Sequence, residues 1–373
     1  MCFVYPSKRK TTPYYQDGVF FVPILYPIHR LRSKSFFVRQ WIRFASISYM
    51  VLFPIMINHI FKLFKPVLIY AHGAQAVVAG NFFRRIYKIP LVARLYGLCN
   101  MDIFLRRADL ALGRIYWALP EILAFKVKAD LYVITADGTV DPNFCRASGL
   151  GDRILLLRNG VDLPKSFHKS DRNELKKEEG IAPETKVIVF VGRLEDFKRV
   201  DRILSVSQKA KEYNQPWQFI IVGDGRERVF LEDWQRKYDL PVKFVGAVPH
   251  QHVWRYLAMA DVFLSLHDLS SISNTLLEAL AMQIPVVCAR KGYGIEELIK
   301  DGATGYLVDD PDNPDEVIAK IGEAFLLRDS LRLTAVPLKS WEVRFEEEFT
   351  RIDEMMELRM RYRNTPEKRN LDG

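Results

Sequence analysis

Short, unbroken aliphatic runs that stop near a glycine and give way to an amphipathic stretch recur along this chain, and few folds accommodate that rhythm. Val187 to Val191 (VIVFV) ends at Gly192, and a helical pattern follows from Val200 to Tyr213. Phe219 to Val222 (FIIV) ends in Gly223-Asp224-Gly225, again before a helical stretch. Lys243 to Val245, Val262 to Leu266 and Val286 to Cys288 continue the series. The first half carries the same signal in Val67 to Tyr70 (VLIY), Pro90 to Leu95, Leu131 to Thr135 (LYVIT) and Ile154 to Leu157 (ILLL). A strand that is apolar at every position is buried on both faces, so the pattern predicts parallel sheets covered on each side by helices. The series restarts after the charged stretch from Lys165 to Thr185, which reads as an irregular interdomain linker. A chain of 373 residues has the length for two such units. The expectation is two doubly wound α/β domains, 1–165 and 166–340.

Charge is distributed unevenly between them. Residues 1–165 hold 23 Lys and Arg against 9 Asp and Glu, whereas the remainder is acidic by five charges. In the first hundred residues 14 basic side chains face the single acid Asp17. Such a field attracts an anionic partner. Nucleic acid ranks last among the candidates, because no RRM, KH, helix-turn-helix or zinc signature accompanies the charge. An anionic membrane surface ranks higher. Phe44 to Phe61 carries no Lys, Arg, Asp or Glu and is flanked by Arg39, Arg43, Lys62 and Lys65. Pro54, Asn58 and His59 interrupt it, so an interfacial helix with a basic rim fits better than a membrane span, with a buried core helix as the competing reading. Four widely spaced cysteines and no leader-like start point to a reducing compartment, and no metal-ligand spacing is present.

In open α/β sheets, ligands sit beyond the carboxyl ends of the strands. Gly192-Arg193-Leu194 with Lys198 follows one strand of the second half, and Gly223-Asp224-Gly225 follows the next. Ser270-Ser271-Ile272-Ser273-Asn274 opens a helix through Glu278, with Ser273 or Asn274 as its N-cap. That helix start offers free N–H groups and a positive dipole end to an anion. Arg193 and Lys198, from another loop, can converge on the same place and complete a diphosphate pocket. Glu278 can then accept two hydrogen bonds from a ribose diol. Taken singly, each piece is an ordinary βα turn or a solvated helix residue, and the nearby Glu195 and Asp196 offer Arg193 a plain surface ion pair. The GxxxxGK[ST] and GxGxxG fingerprints of other nucleotide sites are absent.

In this order and spacing the pieces resemble the retaining GT-B glycosyltransferases of family 4, the glycosyl transferases group 1. The resemblance runs from Asn159-Gly160-Val161-Asp162 to Asp310 through VGRLEDFKR, VGDGRER, FVGAVP, SISNTLLEAL and GIEELIKDGATGYLVDD, and more faintly through IYAHGAQA and SWEVRFEEEF. It implies two Rossmann-like domains facing a cleft and a tail helix, about 341–365, packing back on the N-terminal domain. By the same resemblance Arg193 and Lys198 hold the donor diphosphate and Glu278 binds the ribose. Ser270, Ile272, Ser273 and Asn274 contact the terminal phosphate and sugar, while Gly192, Gly223, Gly246 and Val248 line the donor site. His72, Gly73 and Tyr96 fall on the acceptor side. The donor is a UDP- or GDP-linked sugar, the acceptor a glycan or lipid-linked molecule, and no metal or other cofactor is required. Asp309, Asp310 and Asp312 are expected as a solvated loop.

Three departures bear on activity. The family carries two glutamates eight positions apart, and here Ser270 stands where the first would be, with His267 and Asp268 near enough to substitute. Arg94-Leu95-Tyr96-Gly97 replaces a segment with histidine before the glycine. CFVYPSK reads as the second strand of the N-terminal sheet, so that domain is expected to lack its first strand. Two readings follow: a glycosyltransferase of polysaccharide biosynthesis, cytoplasmic and peripheral on the inner face of the cytoplasmic membrane, or a catalytically silent nucleotide-sugar-binding or scaffold member of the same fold.

Overall fold

A computed structural model describes residues 2–7, 14–16, 19–25, 58, 62, 65–98, 112–161, 172–269, 272–328 and 338–364. Ser270, and all of the Phe44 to Phe61 segment except Asn58, lie outside the described residues.

The N-terminal part contains strands β1 (Cys2–Ser7), β2 (Tyr14–Gln16), β3 (Val19–Leu25) and β4 (Ile69–His72), helix α1 (Ala74–Tyr87), β5 (Leu91–Leu95), α2 (Leu112–Lys126), β6 (Leu131–Thr135), α3 (Pro142–Ala147) and β7 (Ile154–Leu157). Strands β4 to β7 form a four-stranded sheet in chain order, every pair parallel. Cys2–Ser7 is a strand, as read, but it pairs with β3 in a separate three-stranded sheet, order β1-β3-β2.

The C-terminal part runs α4 (Arg172–Glu178), β8 (Lys186–Val191), α5 (Val200–Glu212), β9 (Trp217–Val222), α6 (Arg228–Tyr238), β10 (Val242–Gly246), α7 (His250–Met259), β11 (Val262–Ser265), α8 (Asn274–Ala281), β12 (Val286–Ala289), α9 (Ile295–Leu298), β13 (Gly305–Val308) and α10 (Pro314–Leu327), with α11 (Trp341–Asn364) as the tail. Its six strands are parallel in the order β10-β9-β8-β11-β12-β13. The direction of strand succession reverses between β8 and β11, and a doubly wound sheet opens its ligand crevice at such a reversal.

The all-apolar strands do what their composition requires. Val187, Val189 and Val191 of β8 enter the core on one face of the sheet, while Ile188 and Phe190 enter the core on the other. Successive side chains point to opposite faces, so a strand packed on both sides has no polar position to spare. The stretch from Lys165 to Thr185 corrects one expectation, because it contains helix α4. Asn-Glu-Leu-Lys-Lys-Glu is rich in helix formers. Lys176, buried within it, is held by the carbonyls of Pro183 and Thr185 and by Asp261. Burial there pushes the Lys176 amine down to about 8.

The tail helix α11 lies against the four-stranded sheet. Ile352 joins Val92, Leu131, Val133 and Leu157 in one core, with Met355 and Met356 packed alongside. Arg351 donates to the Asp152 carbonyl at 2.7 Å, and Arg359 pairs with Asp130. Gly160 makes the crossing possible: a Cβ there would sit 2.5 Å from the Trp341 backbone.

Candidate active site

Three glycines line up at the carboxyl ends of β8, β9 and β10. Gly192 N–H donates to the Val222 carbonyl at 3.0 Å, and Gly223 N–H to the Gly246 carbonyl at 2.8 Å. Gly223 has φ +138, and a Cβ on it would lie 1.9 Å from the Gly192 oxygen. No side chain fits between loops that close, so the glycine is a steric requirement here. Gly246 is also left-handed, at φ +87. It turns the chain into Ala247-Val248-Pro249, where Val248 is half-buried against the core.

Arg193 and Lys198 leave β8 in one short loop that ends in a 3-10 turn over Asp196–Lys198. Both cations lie over the ring of Phe197, the guanidinium at 5.7 Å and the amine at 5.4 Å. Phe197 thus sets the spacing between them. The surface ion pair that Glu195 offered Arg193 does not form, because Glu195 takes Arg226 at 2.7 Å.

The loop after β11 meets this one across the strand reversal. Asp268 N–H donates to the Phe197 carbonyl at 3.2 Å, and Lys198 Nζ lies 3.4 Å from His267 Nδ1. Thr275 Oγ1 donates to the Val191 carbonyl at 3.2 Å, so the first turn of α8 is tied to the end of β8. Ser273 is the N-cap, accepting from Leu276 N–H at 3.2 Å. Helix geometry leaves the Asn274 and Thr275 N–H groups without intrahelical acceptors at the crevice. The Ile272 side chain is buried in the core, so only its backbone can reach a ligand. Asn274 Oδ1 accepts from Asn159 at 2.7 Å, a link to the segment that leaves the four-stranded sheet.

Glu278 is 6% exposed, one turn into α8. His250, the first residue of α7, meets its Oε1 at 2.9 Å, while Oε2 is buried without a hydrogen-bond partner. Burial raises the Glu278 carboxyl above its usual range, and His250 opposes that shift. An orphaned carboxylate oxygen inside a protein is costly unless something else meets it.

Two acids beside the crevice are held by the same pair of arginines. Asp268, near enough in sequence to substitute for the glutamate lacking at Ser270, is engaged by arginines: Arg199 binds both its oxygens at 3.0 and 3.1 Å and Arg202 approaches within 2.8 Å. Asp312 is exposed in a turn, as expected, and the same arginines pair with it there and lower its carboxyl below the ordinary value. Among the described residues no group of three or more His, Cys, Asp or Glu is arranged to hold a metal ion.

On the other sheet, His72 and Tyr96 meet at the carboxyl ends of the adjacent strands β4 and β5. His72 Nδ1 lies 2.7 Å from the Tyr96 hydroxyl, and Gly73 N–H donates to the Arg94 carbonyl at 2.8 Å. Burial, with the Arg94 charge, lowers the His72 imidazole below its ordinary value. Sequence reasoning passed over His250. The signal for it was position alone, at a helix start just after the Gly246 turn.

Comparison with known proteins places this architecture. Over 154 residues the chain is 30% identical to N-acetyl-alpha-D-glucosaminyl L-malate synthase of Bacillus anthracis, covering 41% of this chain and 40% of the relative. It is 27% identical over 273 residues to D-inositol 3-phosphate glycosyltransferase 2 of Catenulispora acidiphila, covering 68% and 62%. The chain therefore spans about half the length of the curated relatives it matches. Among solved structures it resembles sucrose-phosphate synthase of Thermosynechococcus elongatus, with TM-score 0.69, 14% identity and coverage of 96% and 89%. HepE of Anabaena, in complex with UDP and glucose, follows with TM-score 0.63, 16% identity and coverage of 90% and 86%. Residues 171–333 match the family model for Glycosyl transferases group 1. The match to the Glycosyl transferases group 1 model is confined to 171–333, and the chain has the GT-B fold.

Proposed function

We propose that the chain is a retaining glycosyltransferase that moves a sugar from a nucleoside-diphosphate sugar to a glycan or lipid-linked acceptor. One observation carries this reading: a buried carboxylate, Glu278, with one oxygen lacking a hydrogen-bond partner, lies at the strand-reversal crevice with two cations and the start of α8. Such a set matches a ribose diol at one end and a diphosphate at the other. HepE has been solved with UDP-glucose, a donor of that class.

When the bond from the anomeric carbon to the phosphate oxygen breaks, the electron pair stays on the diphosphate. Arg193, Lys198 and the α8 start can stabilise that charge from the chain itself, so the reading requires no metal. The acceptor oxygen bonds to the same face of the sugar, and its proton passes to the departing phosphate oxygen. His72, Gly73 and Tyr96 are assigned to the acceptor side. The engagement of Asp268 by two arginines favours the second reading, a member that binds the donor without turning it over.

Titration with UDP- and GDP-sugars, followed by product analysis, tests both. Binding with transfer or slow hydrolysis is expected, and Glu278→Gln should weaken binding by roughly 1.5–3 kcal/mol through the diol contact. Binding with no turnover of any donor selects the silent reading, and failure to bind any of them removes both.

The acceptor's setting follows from charge. No helix among the described residues is long and apolar enough to cross a membrane. Phe82 and Ile86, one turn apart on α1, are 44% and 54% exposed, with Arg85 and Lys88 exposed beside them. We assign this face to an anionic membrane surface at the inner leaflet, each cation contributing on the order of 1 kcal/mol there. Vesicle co-sedimentation should require anionic lipid, weaken with salt and drop for Phe82→Ser with Ile86→Ser. Equal, low recovery on neutral and anionic vesicles rejects it.

A further inference from the structure

The contact between His250 and Glu278 joins two elements that the donor site needs at once. His250 opens α7 directly after the Gly246 turn, and Glu278 belongs to α8. The two side chains differ sharply in environment: that of His250 is 71% exposed and that of Glu278 is 8% exposed. His250 therefore reaches inward from the crevice surface to a carboxylate that water does not solvate. Its ring packs edge-on against Trp254, with centroids 6.0 Å apart, which limits its rotation. The bond occupies Oε1 alone and leaves Oε2 as the oxygen that lacks a partner.

We propose that His250 is a positioning residue of the donor site, its Nε2–H holding one oxygen of Glu278 so that the other faces the ribose diol of a nucleoside diphosphate. The inference rests on the donor reading above and adds to it the residue that orients the ribose acceptor. A carboxylate bound on one oxygen cannot rotate that oxygen toward the ligand, so the contact converts a mobile acceptor into a directed one. Burial favours the neutral form of Glu278, which would present an O–H where an acceptor is wanted; His250 favours the ionised form. Among the described residues His250 is the titratable or charged group acting on Glu278, so removing it leaves the burial effect unopposed.

The sign of the resulting pH dependence follows. Ribose binding needs the carboxylate, so nucleotide affinity should fall as the pH drops through the ionisation of Glu278. In His250→Ala that fall should move to higher pH, and affinity near neutral pH should decrease about tenfold, the loss of one charge-assisted hydrogen bond. His250→Gln keeps an N–H donor and should restore most of the affinity. Because the His250 side chain is largely exposed, neither change should unfold the protein.

The test uses the full chain and calorimetric titration with UDP and GDP, and with their 2′,3′-dideoxy forms, across the acidic to neutral range. The expected result is a loss in His250→Ala that appears with the diol-bearing nucleotides, vanishes with the dideoxy forms and is rescued by glutamine. An unchanged pH profile in His250→Ala, or an equal loss with both kinds of nucleotide, overturns the assignment. Wild-type protein that binds neither UDP nor GDP overturns the donor reading itself, and the inference falls with it.

Discussion

Lys198→Ala should reduce sugar transfer by roughly 10²–10³-fold, about 2.7–4 kcal/mol, the effect of removing one preorganised donor from a developing oxyanion. Charge grows on the diphosphate only as the glycosidic bond breaks, so the loss should fall on kcat more than on KM. Lys198 is held in place, with its amine over Phe197 at 5.4 Å and against His267 at 3.4 Å. Arg193→Ala should follow the same pattern, because its guanidinium lies over the same ring and Glu195 is engaged by Arg226. Steady-state kinetics with the donor found by titration provides the measurement. Wild-type kcat in both variants would place the diphosphate elsewhere.

Much of this site could be read before any coordinates, and the reason is local. Gly223 and Gly246 announce strand ends because Gly223 meets the neighbouring loop so closely that a Cβ would lie 1.9 Å from the Gly192 oxygen, and Gly246 turns with φ +87. Ser273 announces a helix start because its side chain caps Leu276. Strands such as Leu131–Thr135 announce burial on both faces, and every residue of that strand is buried.

What stayed hidden depends on contacts far apart in sequence. His250 and Glu278 are 28 positions apart, and nothing in either neighbourhood predicts that they touch. Asp268 looked available to replace an absent glutamate, since its neighbours in sequence do not include the arginines that hold it. Arg199 and Arg202 come from the N-cap and first turn of α5, 69 and 66 positions away. Helix α4 was obscured by its charge. Its Lys176 reads as a solvated residue until Asp261, 85 positions on, supplies the buried counter-charge.

The same logic of distant charge partners governs the tail, where the largest stability effect is expected. Arg344 and Glu348 lie one turn apart on α11 and are 1% and 0% exposed; they pair directly, and Arg94 of β5, at 4%, stands 3.9 Å from the same carboxyl. Burial pushes the Arg344 guanidinium down to about 10 and the Glu348 carboxyl up to about 7, so both are charged between those values. Two guanidinium groups therefore share one carboxyl between the tail and the four-stranded sheet. Glu348→Leu removes it and leaves both buried cations without their shared carboxyl, a loss of about 3–5 kcal/mol above the carboxyl's ionisation. For a domain of this size that lowers the melting temperature by roughly 10 °C. The damage should be electrostatic and so partly reversible. Arg344→Leu added to Glu348→Leu removes one stranded cation and should recover part of the loss, since contacting residues do not contribute additively. Arg351→Ala, which breaks an exposed pair with Glu354 at 2.9 Å and one backbone contact, should cost far less. Thermal unfolding of the three variants beside the wild type gives the answer. A Glu348→Leu protein that melts with the wild type would mean that the apolar face around Ile352 alone holds the helix to the sheet.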